Sequence, residues 1–260
     1  MPEITIELEN LSTGYTVKGR PRIVSKELNA TLHSGELTCL LGVNGAGKST
    51  LIRTLSAFIP ALSGKVHLLG QTLDKFTPKE LSKVIGVVLT GRMEQNGLTA
   101  YDMVGMGRSP YTGFWGTLSK NDKEVVEKAI DQIKIGFLKD RTMDTLSDGE
   151  RQKVMIAKAL AQETPLIILD EPTAFLDFPS KVEMMQLLQH LAHDMHKTIF
   201  LSTHDLELAL QTADKLWLLD AENLITGTPK ELAKKGHLDR FFNIPGILFD
   251  KDNLTYRING

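Results

Sequence analysis

The 260-residue sequence has an ordinary globular composition, with 42% hydrophobic and 24% charged residues. This length is sufficient for one large lobe or two small lobes with hydrophobic cores. Its 30 basic and 32 acidic residues leave a formal net charge of −2, so the overall charge indicates neither nucleic acid nor an anionic membrane surface as a partner.

The sequence predicts neither a membrane-spanning segment nor a signal peptide. No window approaches about 18 uncharged apolar residues, and the first 20 positions carry charged side chains without an apolar core. The single cysteine, Cys39, excludes an internal disulfide and lies in an apolar run, so we expect a buried, unreactive thiol in a reducing compartment. Any membrane contact is therefore expected to depend on a protein partner.

Strand patterns dominate the first third of the chain. Residues 3–9 alternate between polar and apolar side chains, which places Ile4, Ile6 and Leu8 on one face of a half-buried strand. Residues 37–41 form an apolar run, as expected for a strand covered on both faces. A glycine-rich loop, a helix from about residue 48 to residue 57, and strands near 66–69 and 84–89 follow.

Residues 98–163 change to a helical pattern, and we call this segment the helical lobe. Ser119 and Asp122 resemble an N-cap with an acidic first turn, and apolar residues then recur at helical spacing at 126, 130 and 133. Strands return at 166–170, 198–202 and 216–219, with a helix over 179–195. Strands alternating with helices predict an α/β fold with a mostly parallel sheet, interrupted by the helical lobe.

A phosphate loop is predicted at residues 42–49, where Gly42-Val43-Asn44-Gly45-Ala46-Gly47-Lys48-Ser49 fits G-x-x-x-x-G-K-[ST] between a strand and a helix. Glycines allow the backbone to curl around phosphates, so that successive N–H groups and the helix N-terminus face the negative charge. Lys48 is then expected to reach the β- and γ-phosphates of a nucleotide, and the Ser49 hydroxyl to bind Mg²⁺.

A second part of the predicted site is the buried strand 166–170, which ends in Asp170 and is followed by Glu171. We expect Asp170 to hold Mg²⁺, directly or through water, and Glu171, on the opposite side of the pleat, to accept a proton from an attacking water. A solvated strand end would give the same pattern. The phosphate loop about 120 residues upstream favours the catalytic interpretation.

Residues 146–150, Leu-Ser-Asp-Gly-Glu, resemble the LSGGQ signature of ABC ATPases, and we call them the signature. The resemblance extends over nearly the whole chain, since Tyr15 resembles the adenine-stacking aromatic, residues 175–177 the D-loop and residues 203–205 the switch-histidine segment. Independently of the family, Ser147 and Glu150 have the spacing of a capping box, and a capped helix N-terminus can bind a phosphate.

The resemblance implies a P-loop NTPase (RecA-like) core with an N-terminal antiparallel β subdomain and an inserted α-helical subdomain. We expect a single ABC ATPase domain over 1–260. Its catalytic core would comprise 1–94 and 164–225, its helical subdomain 95–163 and its variable C-terminal tail 226–260. No role is predicted for the tail.

The resemblance also implies a mechanism with ATP and Mg²⁺ as cofactors. In ABC proteins the signature contacts the γ-phosphate of ATP on the other subunit, so we expect a head-to-tail homodimer that ATP closes and hydrolysis opens. Glu171 and His204 are the expected catalytic residues, with His204 contacting the γ-phosphate and orienting Glu171 and the water. The expected ATP contacts are Tyr15, Gly42, Asn44, Gly45, Ala46, Gly47, Lys48, Ser49, Thr50, Ser147, Gly149, Glu150 and Asp177. The expected metal contacts are Ser49, Asp170 and Thr90.

Two positions depart from the family pattern. Asp148 replaces the first glycine of the signature and adds negative charge near the expected triphosphate, although an acid in the first turn also stabilises a helix start. When the sequence is compared with the family pattern backwards from residues 97–99 without gaps, Thr90 falls at the position of the Q-loop glutamine. In the family this glutamine helps to bind Mg²⁺ and to sense the partner. A threonine hydroxyl needs a bridging water to replace that amide, and Gln95 can serve only if the loop is rearranged.

Residues 105–111, Gly-Met-Gly-Arg-Ser-Pro-Tyr, resemble the G-R-x-P segment of importers for iron-siderophore complexes, haem and cobalamin. This resemblance implies integral-membrane permease subunits as partners, each placing a short helix in a groove beside the Q-loop, and a periplasmic or lipid-anchored binding protein engaged indirectly. The chain would be peripheral, on the cytoplasmic face of the inner (cell) membrane. Tyr111, Phe114 and Trp115 either form the floor of that groove or pack inside the helical lobe.

The predicted function is therefore that of an ATP-hydrolysing subunit that powers a membrane importer, without a nucleic-acid partner. One alternative is a soluble ABC ATPase of DNA repair or translation. Such proteins usually carry a long coiled-coil insertion or two motor domains, whereas this chain has one phosphate loop and a helical lobe of about 65 residues. The other is a weakly hydrolysing regulator, suggested by Thr90 and Asp148. It is disfavoured by the presence of Lys48, Asp170, Glu171 and His204.

Overall fold

The computed structural model describes residues 3–89, 97–113, 115–220, 223–241 and 247–258. The strands in these ranges are β1 (Ile4–Val17), β2 (Arg20–His33), β3 (Leu37–Leu41), β4 (Ser63–Leu68), β5 (Gln71–Thr72), β6 (Ile85–Val88), β7 (Leu166–Asp170), β8 (Thr198–Ser202), β9 (Lys215–Leu219), β10 (Leu224–Gly227), β11 (Ile247–Asp250) and β12 (Thr255–Ile258). The α-helices are α1 (Lys48–Leu55), α2 (Pro78–Leu81), α3 (Ala100–Gly105), α4 (Lys120–Ile133), α5 (Asp148–Ala161), α6 (Phe178–His193), α7 (Leu206–Thr212), α8 (Pro229–Lys234) and α9 (His237–Phe241). Short 3₁₀ helices span Leu73–Lys75, Met106–Arg108, Gly136–Leu138 and Met143–Thr145. Among these described helices, none combines the length and the apolar character that a membrane span requires.

The central sheet has six strands in the order β10-β9-β3-β8-β7-β6. Strands β9, β3, β8, β7 and β6 run parallel, and β10 is antiparallel to β9. All residues of β3 and β8 are buried, as expected for parallel strands covered on both faces. The predicted parallel α/β core is confirmed, and the carboxyl ends of β3, β8 and β7 lie side by side at one edge.

A second sheet is antiparallel, with the order β2-β1-β4-β5, and its buried side chains pack with α1 and one face of the central sheet. Ile6 and Leu8 are buried in this layer, but the prediction that Ile4 shares their face is wrong, because Ile4 is exposed. A register shift in the pairing with β2 between Ile4 and Ile6 breaks the simple alternation.

Helix α1 ends at Leu55, two residues before the predicted end. Ala57 has a left-handed backbone with φ of 58°. Its N–H donates to the Thr54 carbonyl, and the Phe58 N–H donates to the Arg53 carbonyl, which together close the helix in a Schellman motif. The helix therefore ends at this turn.

The helical lobe contains α3, α4 and α5 with three of the 3₁₀ helices. The predicted cap of α4 is confirmed, because Ser119 and Asp122 form a capping box. Side chains at the predicted positions 126, 130 and 133 are buried and belong to one hydrophobic cluster, which continues into the central sheet. Thr90 and Gln95, the two candidates for the Q-loop position, lie outside the described residues.

The part of the chain after the central sheet ends in a hairpin of β11 and β12. Phe249 and Leu254 of this hairpin pack against the main hydrophobic cluster. Cys39 lies inside the same cluster, and burial raises the pKa of its thiol far above the usual range. The expectation of a buried, unreactive cysteine is confirmed.

Candidate functional site

The phosphate loop connects the end of β3 with the start of α1. Gly47 caps α1 with a left-handed φ of 101°, and a Cβ added there would lie 2.6 Å from Val24 Cγ1. A glycine is therefore required at this turn. The N–H groups of the first turn of α1 point out of the helix end, which is a geometry suited to phosphate oxygens.

Lys48 is buried inside the loop, where its Nζ donates to the Gly42 carbonyl at 2.8 Å. Burial lowers the pKa of Lys48, and the nearby carboxylates of Glu171 and Asp170 partly oppose that shift. The lysine thus lies in the electrostatic field of Asp170, at the end of β7, and of Glu171, which follows it. The phosphate loop after β3, the acids at the end of β7 and the end of β8 are distant in sequence. They meet here because β3 and β7 both pair with β8.

Tyr15 lies beside the same loop. Its hydroxyl is 3.0 Å from Thr50 Oγ1 of α1, within hydrogen-bond distance, although the two residues belong to different layers. This contact fixes an aromatic ring next to the phosphate loop, where a nucleotide base could stack on it.

Asp170 and Glu171 are both held by Ser202, the last residue of β8. The Ser202 hydroxyl donates to Asp170 Oδ1 at 2.6 Å, and the Glu171 N–H donates to Ser202 Oγ at 2.9 Å. Ser202 was not among the predicted site residues, since its only signal in the sequence is its place at the end of a buried strand beside the switch-histidine segment.

We predicted that Glu171 continues the pleat of β7 with its side chain on the opposite side from Asp170. The structure differs from this prediction. The Glu171 backbone is left-handed, with φ of 49°, so the strand stops at Asp170 and the chain turns toward the end of β8. There Glu171 Oε1 lies 2.6 Å from His204 Nε2, and the two side chains are 31% and 46% exposed. A carboxylate and an imidazole in contact and open to solvent can move a proton of a bound water.

The signature forms the start of α5. Ser147 and Glu150 form the predicted capping box. Asp148 pairs with Arg151 at 3.1 Å, and Glu150 pairs with Arg141 at 3.0 Å. Hydrogen bonds from Ser147, followed by the charge of Arg141, hold the pKa of Glu150 below its usual value. Both acids of the signature thus have an arginine partner, which the sequence analysis did not predict.

The D-loop lies against the signature. A Cβ added to Gly149 would lie 3.7 Å from Leu176 Cδ2, so the two segments are close together within one chain. Asp177 caps α6 by accepting from the Ser180 N–H at 3.0 Å, and it is exposed. Ser147 and Asp177 are exposed and residues 148–150 are half-buried, so this region is open to contact with another molecule.

A groove of about 820 Å³ separates the helical lobe from the central sheet. Residues of both parts line it, including Ser82, Ile85, Met106, Ser109, Pro110 and Gln162. Of the three aromatics considered above, Tyr111 packs on Arg108 with 4.0 Å between the guanidinium carbon and the ring centre, and Trp115 is 87% exposed. Phe114 lies outside the described residues.

The fold and this site define a phosphate-loop nucleotide-binding protein, in which a lysine, two carboxylates and a histidine converge at one edge of a parallel sheet. The ABC transporter family matches residues 25–174, and the chain belongs to this family. It is therefore an ATP-binding transporter subunit and an ATPase, as the sequence predicted.

Two similar proteins carry names that include a transported compound. The chain is 38% identical to the Probable siderophore transport system ATP-binding protein YusV of Bacillus subtilis (strain 168), over 87% of this chain and 82% of that protein. It is 33% identical to the Ferric enterobactin transport ATP-binding protein FepC of Escherichia coli (strain K12), over 93% of this chain and 88% of that protein.

The fold is also similar to a solved dimeric structure of MJ0796, a bacterial ABC transporter cassette. The TM-score is 0.72 at 25% identity, and the match covers 86% of this chain and 98% of that chain. The prediction of a P-loop NTPase core with an antiparallel sheet and a helical insertion is confirmed.

Proposed function

We propose that this chain hydrolyses ATP to power a membrane importer, with iron-siderophore complexes as the substrate class and haem and cobalamin as the remaining candidates. The main structural support for ATP hydrolysis at this site is the 2.6 Å contact between Glu171 Oε1 and His204 Nε2 beside the phosphate loop. The names of YusV and FepC and the G-R-x-P segment support the transported class.

In this proposal the nucleotide lies along the phosphate loop. Tyr15 stacks on the adenine, the backbone N–H groups from Gly42 to Thr50 surround the phosphates, and Lys48 reaches the β- and γ-phosphates. Its ammonium is held in the loop by the Gly42 carbonyl until a phosphate replaces that partner.

A magnesium ion fits the donors at this edge, because Mg²⁺ is usually held by hydroxyl and carboxylate oxygens together with substrate phosphates. Ser49 and Asp170 would hold it, with Thr90 as a third candidate. The ion supplies charge neutralisation at the phosphates. Ser202 orients Asp170 through the hydrogen bond to Oδ1, so the carboxylate is positioned before nucleotide binds.

Glu171 accepts the proton of the attacking water in this scheme. His204, in contact with Glu171 Oε1, orients that carboxylate and donates to the γ-phosphate. The left-handed turn at Glu171 is what brings the two side chains together.

A homodimer completes the site. Ser147, Gly149 and Glu150 at the start of α5 contact the γ-phosphate bound by the other subunit, and Asp177 of the D-loop lies at the same interface. The dimeric MJ0796 structure supports this arrangement. Closure then depends on ATP, since the nucleotide makes contacts to both subunits only in the closed state.

The groove beside the helical lobe is the proposed docking place for a short helix of the integral-membrane permease. The chain is then one ABC ATPase domain, with a catalytic core of 1–94 and 164–225, a helical subdomain of 95–163 and a C-terminal tail of 226–260. It is peripheral at the cytoplasmic face of the inner (cell) membrane, and a periplasmic or lipid-anchored binding protein acts on it indirectly through the permease.

Affinity purification from gently solubilised native membranes tests the importer proposal, with mass spectrometry of the proteins that co-purify. We expect a polytopic permease in an amount equal to this subunit, and uptake of an iron chelate that depends on the complex. Recovery with ribosomes or DNA and without a permease would contradict the proposal and favour the soluble ABC ATPase.

A further inference from the structure

The G-R-x-P segment contains a buried arginine that contacts two parts of the helical lobe, the start of α4 and the end of α5. The Arg108 side chain is only 2% exposed. Its Nε donates to Asp122 Oδ1 at 2.9 Å in the first turn of α4. One terminal nitrogen donates to the Ala161 carbonyl at 2.8 Å and to Glu163 Oε2 at 2.6 Å, both at the end of α5.

The residues around Arg108 hold the same end of α5. A Cβ on Gly107 would lie 2.2 Å from the Lys158 carbonyl oxygen, so the 3₁₀ helix touches the backbone of α5 directly. Tyr111 stacks on the Arg108 guanidinium, and its hydroxyl donates to the Gln162 carbonyl at 3.1 Å. Arg108 and Tyr111 thus satisfy carbonyls at this helix end, where a cation is favoured.

The C-terminal end of α5 is also hydrogen-bonded to the catalytic core. Gln162 Nε2 donates to the carbonyls of Ser82 at 2.5 Å and Ile85 at 3.0 Å, next to the start of β6. The C-terminal end of α5 is therefore a fixed point, to which both the core and the G-R-x-P segment are attached.

The other end of α5 carries the signature. A helix of 14 residues is about 21 Å long. A rotation of about 10° around the fixed end would displace Ser147 by about 4 Å. Met106, Ser109 and Pro110, which flank Arg108 in sequence, line the groove. Lys158 and Gln162 line the same groove from the α5 side, and the Arg108 side chain joins this part of the wall to α4 as well as to α5.

We infer that Arg108 is a positioning residue that transmits movement of the groove wall to the signature through rotation of α5. This inference rests on the proposed docking of a permease in the groove. Apolar residues of similar volume often stabilise a buried site as well as a buried ion pair does, so the ion pairs of Arg108 are weak evidence for a role in stability. The planar guanidinium also holds three partners, Asp122, Ala161 and Glu163, in a fixed geometry.

Arg108→Lys tests this inference in the membrane complex recovered with the chain and reconstituted in liposomes. Lysine keeps the charge, but one ammonium cannot replace a planar guanidinium across three partners. We expect unchanged basal ATP turnover and ATP-driven dimerisation of the isolated subunit. Stimulation of turnover by the permease should fall about tenfold, as a loss of kcat at unchanged KM for ATP.

Two further variants separate transmission from damage to the fold. Lys120→Ala, at a 95% exposed side chain of the same lobe, should keep full stimulation. Tyr111→Phe removes only the hydrogen bond to the Gln162 carbonyl and should lower stimulation in the same direction by a smaller factor. A fall in basal turnover with Arg108→Lys, with no effect of Tyr111→Phe, would overturn the inference.

Full permease stimulation of Arg108→Lys would overturn the inference alone and leave the proposed function intact. A wild-type complex that no permease stimulates would overturn the proposed function and the inference with it.

Discussion

Asp148 and Glu150 place two negative charges at the start of α5, and each has an arginine within ion-pair distance. Acids are favoured at a helix N-terminus, so they stabilise α5, whereas an incoming triphosphate would be repelled by carboxylates without partners. Arg141 and Arg151 reduce that repulsion. The departure at Asp148 is therefore compatible with an active ATPase.

We expect Asp148→Gly to tighten ATP-driven dimerisation, because it removes a carboxylate and leaves the Arg151 guanidinium close to the phosphate of the other subunit. Half-maximal dimerisation should need roughly two- to fivefold less ATP, which light scattering measures. Asp144→Asn, at an exposed acid of the preceding turn, is the matched control and should have no effect. Unchanged or weaker dimers with Asp148→Gly would contradict this reading.

At the same scale, the sequence indicated candidate residues for the site but not how their side chains contact one another. Glu171 and His204 were assigned from their motifs, yet their contact depends on a left-handed turn at Glu171 that the sequence does not indicate for a glutamate. Ser202 was missed because a serine at the end of a buried strand carries no motif of its own.

Among the elements, buried parallel strands were the most predictable. The predicted ranges 37–41, 166–170 and 198–202 coincide with β3, β7 and β8, because a strand covered on both faces reads as an apolar run with sharp ends. The end of α1 was misplaced, since a left-handed alanine leaves no trace in the sequence. The face of Ile4 was wrong because a register shift is set by pairing with β2.

The contact between the Met106–Arg108 3₁₀ helix and α5 allows a prediction about stability. Gly107→Ala places a methyl group where the Lys158 carbonyl oxygen already lies, so the two elements must move apart. We expect a loss of about 1–3 kcal/mol in the free energy of unfolding, measured with urea. Gly113→Ala is the control, because a Cβ there meets no atom within 4 Å. Equal stability of the two variants would exclude this close approach.

For the whole molecule, the site depends on strands that are far apart in sequence. Lys48 follows β3, Asp170 ends β7 and is followed by Glu171, and His204 follows β8. The alternation of strands and helices predicted that these segments share one sheet edge, but not the order of the strands in the sheet. The partners of Arg108 could not be predicted either, because buried ion pairs form between whichever charges the fold brings together.

The groove between the helical lobe and the central sheet and the exposed region around the signature lie at different places on the molecule. Helix α5 connects them, with one end at the groove wall and the other at the signature. An ATPase that must report on a membrane partner needs such a connection, since binding in the groove can affect hydrolysis only by a movement of residues at the nucleotide.

Turnover and dimerisation of Glu171→Gln test the central claim, that this chain hydrolyses ATP between two subunits with Glu171 as the base. The amide cannot accept the proton of water but keeps the size of the side chain. We predict that ATP binding is retained, that turnover falls by about 100-fold or more, and that ATP-bridged dimers accumulate. Glu207→Gln, at an exposed glutamate of α7, should hydrolyse ATP normally. Wild-type turnover by Glu171→Gln would contradict the claim.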